Sequence, residues 1–193
     1  MKLTKTRSTN ALMFVVTGTP GTGKTTWAKE IGKKFKWEVK NDKTLAHEHK
    51  AVFTHDTINH EDVVDITKWS PFLKKELKHA QDSIVLEGHL FCEMRLPVNG
   101  VIVLTCPVKE LEKRLRKRKY SEVKIQDNLF CEDTKYVLEQ VRKHYSGVPI
   151  LVLDTHKPKK VLRERMLNWI QSILRGKYRE IHSRTRTPTR IRS

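Results

Sequence analysis

Residues 18–25 read Gly-Thr-Pro-Gly-Thr-Gly-Lys-Thr and satisfy the spacing G-x-x-x-x-G-K-[ST]. An apolar run of strand length at 11–16 precedes them, and a stretch of helical composition follows at 27–35. This context of strand, loop and helix separates a phosphate-binding loop from a chance match. The glycines let backbone N–H groups turn inward around an anion, at the positive end of the helix dipole. The motif therefore predicts an α/β chain that binds a nucleoside triphosphate.

Side chains of this loop are candidates for phosphoryl transfer. Lys24 can reach the β- and γ-phosphates of a bound triphosphate, and the Thr25 hydroxyl can ligate Mg²⁺. Gly18, Gly21 and Gly23 allow the backbone to turn around the phosphates. On the motif alone, the alternative is a glycine-rich turn that merely joins a strand to a helix.

Apolar runs and helical patterns alternate along the chain. Strands are predicted at 11–16, 84–86, 101–104 and 150–153, with a shorter one near 37–39. Their continuous apolar character is typical of parallel strands covered on both faces. Helices are predicted at 25–35, 71–80, 108–118, 122–145 and 159–174. This alternation predicts a three-layer α/β sandwich with a five-stranded parallel sheet, whose ligands bind at the carboxyl ends of the strands.

Charged residues that follow the predicted strands are candidates for the rest of an active site. Glu87 directly follows the strand at 84–86, where a carboxylate can hold Mg²⁺ through water, and His89 can orient a water or a phosphate oxygen. A helix-capping glutamate and a hydrogen-bonded loop histidine are the structural alternatives. Arg114 and Arg118 lie four residues apart on one helix face and can stabilise the transferring group from a short lid. A solvated or RNA-facing basic surface is the alternative for this run.

The segment at 38–65 is the expected acceptor-binding side. It contains four histidines and an acidic pair: His47, His49, His55, His60, Glu61 and Asp62. Their spacing matches neither H-E-x-x-H nor a zinc finger, so a polar binding loop is favoured over a metal site.

The chain has 193 residues, the size of one domain that can bury its own core. Lys and Arg number 39 against 22 acidic residues, and the net charge of +17 favours phosphate-rich partners. The three cysteines lack a C-x-x-C pair, which argues against a disulfide framework or a zinc site and favours a reduced, intracellular setting.

Both ends of the chain differ from its centre. Residues 1–10 form a polar extension with neither a signal peptide nor a membrane span, and 11–174 form the predicted domain. Residues 175–193 are strongly basic and are predicted to be a disordered tail that can contact RNA nonspecifically. We expect a cytoplasmic protein, or a nuclear one if the source is eukaryotic.

Taken together, these motifs resemble the adenylate kinase 6 family of P-loop kinases (Fap7 type), in the form found in archaea and eukaryotes. The resemblance covers about 11–174 and is carried by the segments 18–26, 61–65, 87–89, 114–121, 124–128 and 131–132. It implies the nucleoside-monophosphate kinase fold with a reduced lid at about 117–127. It also implies ATP as donor, AMP or another monophosphate as acceptor, Mg²⁺ and an additional ATPase activity.

The same resemblance implies a role in late maturation of the small ribosomal subunit, through a ribosomal protein of that subunit and pre-rRNA. It assigns triphosphate binding to Gly21, Gly23, Lys24, Thr25 and Thr26. Glu87 and His89 take the Walker B place, and Arg118 is the lid arginine. The chain departs from the family at two positions: Glu87 stands where many relatives have Asp, and Lys119 where they usually have Gly.

Three hypotheses follow from the sequence. The first is a monophosphate kinase that transfers the terminal phosphate of Mg·ATP to AMP. The second is an ATP-driven switch in ribosome assembly, for which kinase activity is incidental. The third is a plain RNA-binding module with a vestigial loop, which the 7% aromatic content and the lack of an RNA-recognition motif disfavour.

Overall fold

The computed structural model describes residues 11–56 and 61–184. The predicted extension at 1–10, His60 and the end of the predicted tail at 185–193 lie outside the described residues. The strands of the described part are β1 (Met13–Gly18), β2 (Glu38–Asn41), β3 (Val52–Asp56), β4 (Glu61–Val64), β5 (Ile84–Glu87), β6 (Gly100–Thr105) and β7 (Ile150–Asp154).

The helices of the same part are α1 (Lys24–Phe35), α2 (Asp42–Glu48), α3 (Ile66–Lys78), α4 (Val108–Lys117), α5 (Glu122–Asp133), α6 (Tyr136–His144) and α7 (Lys159–Arg184). A short 3₁₀-helix follows β5 at Leu90–Glu93. No helix within the described ranges is both long and apolar enough to cross a membrane.

Five strands form one parallel sheet in the order β2-β5-β1-β6-β7, and β3 pairs with β4 in a separate antiparallel hairpin. In the central strand β1, Val15 lies opposite Leu86 of β5 and Val101 of β6. β1 is buried along its whole length because both of its faces are covered by helices, which explains its continuous apolar sequence. The predicted five-stranded α/β sandwich is therefore confirmed.

Alternate residues of β1 enter two different hydrophobic layers, as the two-residue period of a strand requires. Val15 joins one layer with Trp69 of α3 and Val141 of α6. Phe14 joins the other layer with Ile31 of α1, and residues of α7 complete it. Because burial stabilises by about 25 cal/mol per Å² of apolar surface, these two layers supply most of the favourable folding energy.

The helices predicted at 122–145 and 159–174 differ in extent from those observed. The helix expected at 122–145 is divided into α5 and α6 at Lys135, whose φ of 56° is left-handed. Val123, near the start of α5, is 62% exposed. The helix expected at 159–174 continues to Arg184, so the predicted disorder from 175 onward is wrong for its first ten residues.

The segment at 38–65 has more regular structure than the loop expected from its polar sequence. It contains β2, α2 and the β3–β4 hairpin. The side chain of Asn41 caps α2 by accepting from the backbone N–H groups of Lys43 and Thr44. α3 begins at Ile66 rather than 71, with the carboxylate of Asp65 accepting from the N–H of Lys68. α2 and the β3–β4 hairpin form a small lobe beside the carboxyl ends of β2 and β5.

Candidate active site

The loop between β1 and α1 is shaped by its glycines. Gly23, the residue before α1, has a φ of 96°, a conformation that glycine adopts without strain. A side chain at Gly18 would lie 2.4 Å from a backbone carbonyl oxygen of β6, so the loop packs directly on the sheet. The backbone N–H and the hydroxyl of Thr22 both donate to the carbonyl oxygen of Thr19, at 3.2 and 2.8 Å. These contacts hold the loop in one conformation.

Lys24, the first residue of α1, folds back over the loop. Its Nζ donates to the carbonyl oxygens of Gly18 at 2.9 Å and Thr19 at 3.3 Å. Burial lowers the pKa of Lys24 from its ordinary value, and the nearby carboxylates of Asp42 and Glu87 oppose that change. The ammonium group of Lys24 therefore lies at the loop, where a bound anion would favour its charged form.

Glu87 is buried at the carboxyl end of β5, only 4% exposed. Its Oε1 accepts from the Thr25 hydroxyl at 3.0 Å, and its Oε2 accepts from the Asn41 side-chain amide at 2.7 Å. The β2–β5 register places Asn41 directly opposite Glu87. Carboxylate and hydroxyl oxygens are ligands that Mg²⁺ prefers, so Thr25 and Glu87 form a donor set of the right chemistry for this ion.

A second carboxylate, Asp42, lies beneath the loop that carries His89. Asp42 is 1% exposed, and its Oδ2 accepts from the backbone N–H of Leu90 at 3.0 Å. The same oxygen lies 3.5 Å from Nδ1 of His89, within ion-pair distance. His89 thus lies after the end of β5, beside the phosphate loop, with the carboxylate of Asp42 next to its imidazole ring.

A cavity of about 200 Å³ unites these groups between the phosphate loop, the ends of β2 and β5 and the end of α4. The predicted site residues that line it are Gly21, Gly23, Lys24, Thr25, Thr26, Glu87, His89 and Arg118. Gly18 lies at the end of β1 and is not part of the lining. A larger cavity of about 440 Å³ beside β6 and β7 contains none of the predicted site residues.

Arg114 and Arg118 have different surroundings, although both were expected to act on the triphosphate. Arg118 follows the last residue of α4 and lines the cavity. Arg114 lies outside the lining, and its guanidinium donates to the hydroxyl of Thr155 at 3.0 Å, the carbonyl of Thr155 at 3.2 Å and Glu110 at 3.1 Å. In this conformation Arg114 joins α4 to the loop after β7.

The histidines of the 38–65 segment join its elements to one another. His47 Nε2 lies 2.6 Å from Asp62 Oδ2, and His55 Nδ1 lies 2.9 Å from Asp62 Oδ1. These hydrogen bonds, that of His55 foremost, lower the pKa of Asp62. His49 Nδ1 accepts from the indole of Trp69 at 2.9 Å. Among the residues that the structure describes, no group of three or more His, Cys, Asp or Glu is arranged to hold a metal ion.

Three residues around the site were not found by sequence reasoning. Asn41 ends β2 and Asp42 begins α2 directly after it, so both lie at the carboxyl edge of the sheet, where ligands bind. Glu132 of α5 lies behind the phosphate loop, where its Oε2 accepts from the Thr19 hydroxyl at 2.5 Å and its Oε1 from the N–H of Cys106 at 2.7 Å. Burial raises the pKa of Glu132. No local pattern indicates the contact between Glu132 and Thr19, since 113 residues separate them.

Comparison with known proteins agrees with the geometry. A family model described as an AAA domain matches residues 15–135. An adenylate kinase isoenzyme 6 homolog of Caenorhabditis elegans is 33% identical over 136 residues, covering 69% of this chain and 74% of that protein. A Drosophila melanogaster protein of the same name is 27% identical over 158 residues, covering 81% and 90%.

Solved structures share the fold at low sequence identity. A deoxyadenosine kinase from M. mycoides superposes with a TM-score of 0.55 at 20% identity, covering 84% of this chain and 100% of that chain. A shikimate kinase from Acinetobacter baumannii superposes with a TM-score of 0.54 at 16% identity, covering 85% and 95%. These structures show a P-loop kinase fold. With the matched family model and the sequence relatives, they lead to one conclusion: the chain belongs to the P-loop kinase family that includes the adenylate kinase isoenzyme 6 homologs.

Proposed function

We propose that the protein is a broad-specificity nucleoside-monophosphate kinase that transfers the terminal phosphate of Mg·ATP to AMP. The observation that carries this proposal is the single cavity in which Lys24, Thr25, Glu87, His89 and Arg118 meet at the phosphate loop. The names of the relatives support adenylate kinase activity.

In the proposed mechanism, the backbone N–H groups of the loop bind the triphosphate, and Lys24 leaves its carbonyl partners for the β- and γ-phosphates. Arg118, which lines the same cavity from the end of α4, balances the negative charge that spreads over the transferring group. His89 orients the acceptor oxygen or a water from the end of β5. Each of these roles is positional or electrostatic, as expected for phosphoryl transfer.

The proposed Mg²⁺ site uses Thr25 and Glu87, whose hydroxyl and carboxylate oxygens lie 3.0 Å apart. When bound there, Mg²⁺ would neutralise charge on the β- and γ-phosphates. Asn41 holds the second carboxylate oxygen at 2.7 Å and thereby fixes the plane of the Glu87 side chain. The acceptor monophosphate is proposed to bind against the lobe at 38–65, from which Asn41, Asp42 and Lys43 line the cavity.

The test is ATP turnover with Mg²⁺, with and without AMP, followed by phosphorus NMR so that ADP and free phosphate are counted separately. Lys24→Ala and Arg118→Ala should each remove ADP formation from ATP plus AMP. Lys29→Ala and Arg116→Ala are matched controls, since both residues are exposed on α1 and α4 and do not line the cavity. Full activity in either cavity variant would contradict the proposal.

A second candidate is an ATPase that serves as an assembly factor in late maturation of the small ribosomal subunit. The net charge of +17 favours it, because a metabolic kinase has no need of so much basic surface. In this function, ATP hydrolysis would release a ribosomal protein or pre-rRNA. Glu87→Gln should then slow AMP-independent phosphate release and leave precursor rRNA unprocessed in cells. Normal hydrolysis and normal processing in that variant would reject this candidate.

A further inference from the structure

Asp42 is the most deeply buried acidic side chain at the cavity, and its environment differs from that of a reactive carboxylate. Its Oδ1 accepts from the backbone N–H of Lys43 at 2.8 Å, and its Oδ2 accepts from the backbone N–H of Leu90 at 3.0 Å. Both oxygens are therefore engaged by backbone donors, and only 1% of the residue is exposed. Such a carboxylate is poorly placed to take a proton from a substrate.

The backbone after β5 is wrapped closely around this carboxylate. A Cβ atom at Gly88 would lie 2.0 Å from Cγ of Asp42, so only glycine allows the approach. The next residue, His89, places Nδ1 at 3.5 Å from Oδ2 of Asp42, and the one after it, Leu90, donates to the same oxygen. Asp42 thus approaches three consecutive residues directly after β5: Gly88, His89 and Leu90.

The neighbouring residue extends this arrangement to Glu87 itself. Asn41 donates to Oε2 of Glu87 at 2.7 Å and to its carbonyl oxygen at 3.3 Å. The end of β2 therefore holds the carboxylate of Glu87 through Asn41 and the following loop through Asp42. Both contacts come from the edge of the sheet formed by β2, on the side of the lobe at 38–65.

We infer that Asp42 is a positioning residue for phosphoryl transfer, which fixes the backbone at 88–90 and the ring of His89 in the cavity. The inference rests on the proposed function for its kinetic part. A positioned group acts on the transition state, where a small displacement is costly, more than on the binding of ATP at the phosphate loop. The loss of Asp42 should therefore lower kcat and leave KM for ATP nearly unchanged.

The test compares Asp42→Ala with Asn99→Ala. Asn99 also holds a strand end by accepting from a backbone N–H, that of Met13 at 2.9 Å, but at the opposite end of the sheet. Relative to Asn99→Ala, Asp42→Ala should lower kcat at least about tenfold with KM for ATP changed less than about threefold. Asp42→Asn keeps the shape of the side chain but offers one acceptor oxygen, so its kcat should lie between those of the two alanine variants. Asp42→Asn carries the test if Asp42→Ala does not fold.

A second measurement is independent of activity. Hydrogen exchange at the Leu90 amide should be at least about tenfold faster in Asp42→Ala than in the wild type and unchanged in Asn99→Ala. Unchanged exchange at Leu90, or a kcat equal to that of Asn99→Ala, would overturn the inference. A wild-type protein without turnover would instead reject the proposed function, and the exchange at Leu90 would still decide whether Asp42 holds the loop.

Discussion

Glu132 joins α5 to the back of the phosphate loop, and its replacement by alanine should destabilise the whole domain. The variant leaves two buried donors without their acceptor, the Thr19 hydroxyl and the backbone N–H of Cys106. An unsatisfied buried donor costs about 1–3 kcal/mol, so the two together cost about 2–6 kcal/mol. Removal of a carboxylate whose burial is itself unfavourable returns part of that cost. The expected net loss is about 2–3 kcal/mol.

Urea unfolding followed by tryptophan fluorescence measures this loss. For a domain of this size, about 2–3 kcal/mol corresponds to a fall in Tm of about 4–12 °C. Glu139→Ala is the matched control, because Glu139 lies on the next helix with 57% of its side chain exposed and pairs with the exposed Arg142. That control should lose less than about 0.5 kcal/mol. A loss in Glu132→Ala no larger than in Glu139→Ala would refute the reasoning.

The pH dependence of the same measurement tests the burial of Glu132 separately. Burial raises the pKa of Glu132 in the folded protein above its ordinary value of 4.5. The folded state therefore holds this proton more tightly, and the resulting stability is present below that value and is lost as pH rises through the folded pKa. The stability of the wild type relative to Glu132→Gln should fall as pH increases from about 4.5. A difference that stays constant or rises would contradict this assignment.

Further predictions concern the end of α4 and the thiols. Arg118→Ala should lower turnover at least about tenfold. Arg114→Ala should mainly cost about 1–2 kcal/mol of stability, because the hydrogen bonds of its guanidinium join α4 to the loop after β7. Equal effects of the two variants on turnover would contradict this. Lys119 has a φ of 57°, so Lys119→Gly should stabilise by about 1 kcal/mol in urea unfolding, and destabilisation would speak against it. Burial raises the pKa of Cys92 to about 12, so a thiol reagent should label the half-buried Cys131 first by mass spectrometry; faster labelling of Cys92 would be the contrary result.

The centre of the site was predictable because its residues lie close to strong local signals. Lys24 and Thr25 belong to a motif whose spacing is dictated by the phosphate itself. Glu87 follows an apolar strand directly, and the carboxyl ends of parallel strands meet at one edge of the sheet. Local sequence therefore carried enough information to place these three side chains around one cavity.

Contacts that depend on tertiary packing were not predictable in the same way. A short strand was predicted near 37–39, but β2 is partly exposed and ends in polar residues, and its sequence did not indicate that Asn41 and Asp42 reach the site. Ile125 of α5 packs with Leu111 and Leu115 of α4, whereas α6 packs on the layer that contains Val15, so the break at Lys135 depends on tertiary packing that periodicity does not reveal. Arg114 and Arg118 share helical spacing, but α4 ends at Lys117, which gives them different partners.

The order of the strands has a consequence for how the chain folds during synthesis. β1 and the phosphate loop are made before the two neighbours of β1, which begin at Ile84 and Gly100. Pairings over such sequence distances form slowly, because the entropy of closing a long loop must be overcome first. The ribosome must therefore add about 80 residues after the phosphate loop before β1 has both partners, and more still before Glu132 emerges. A newly made chain carries its nucleotide-binding motif long before it can bind a nucleotide.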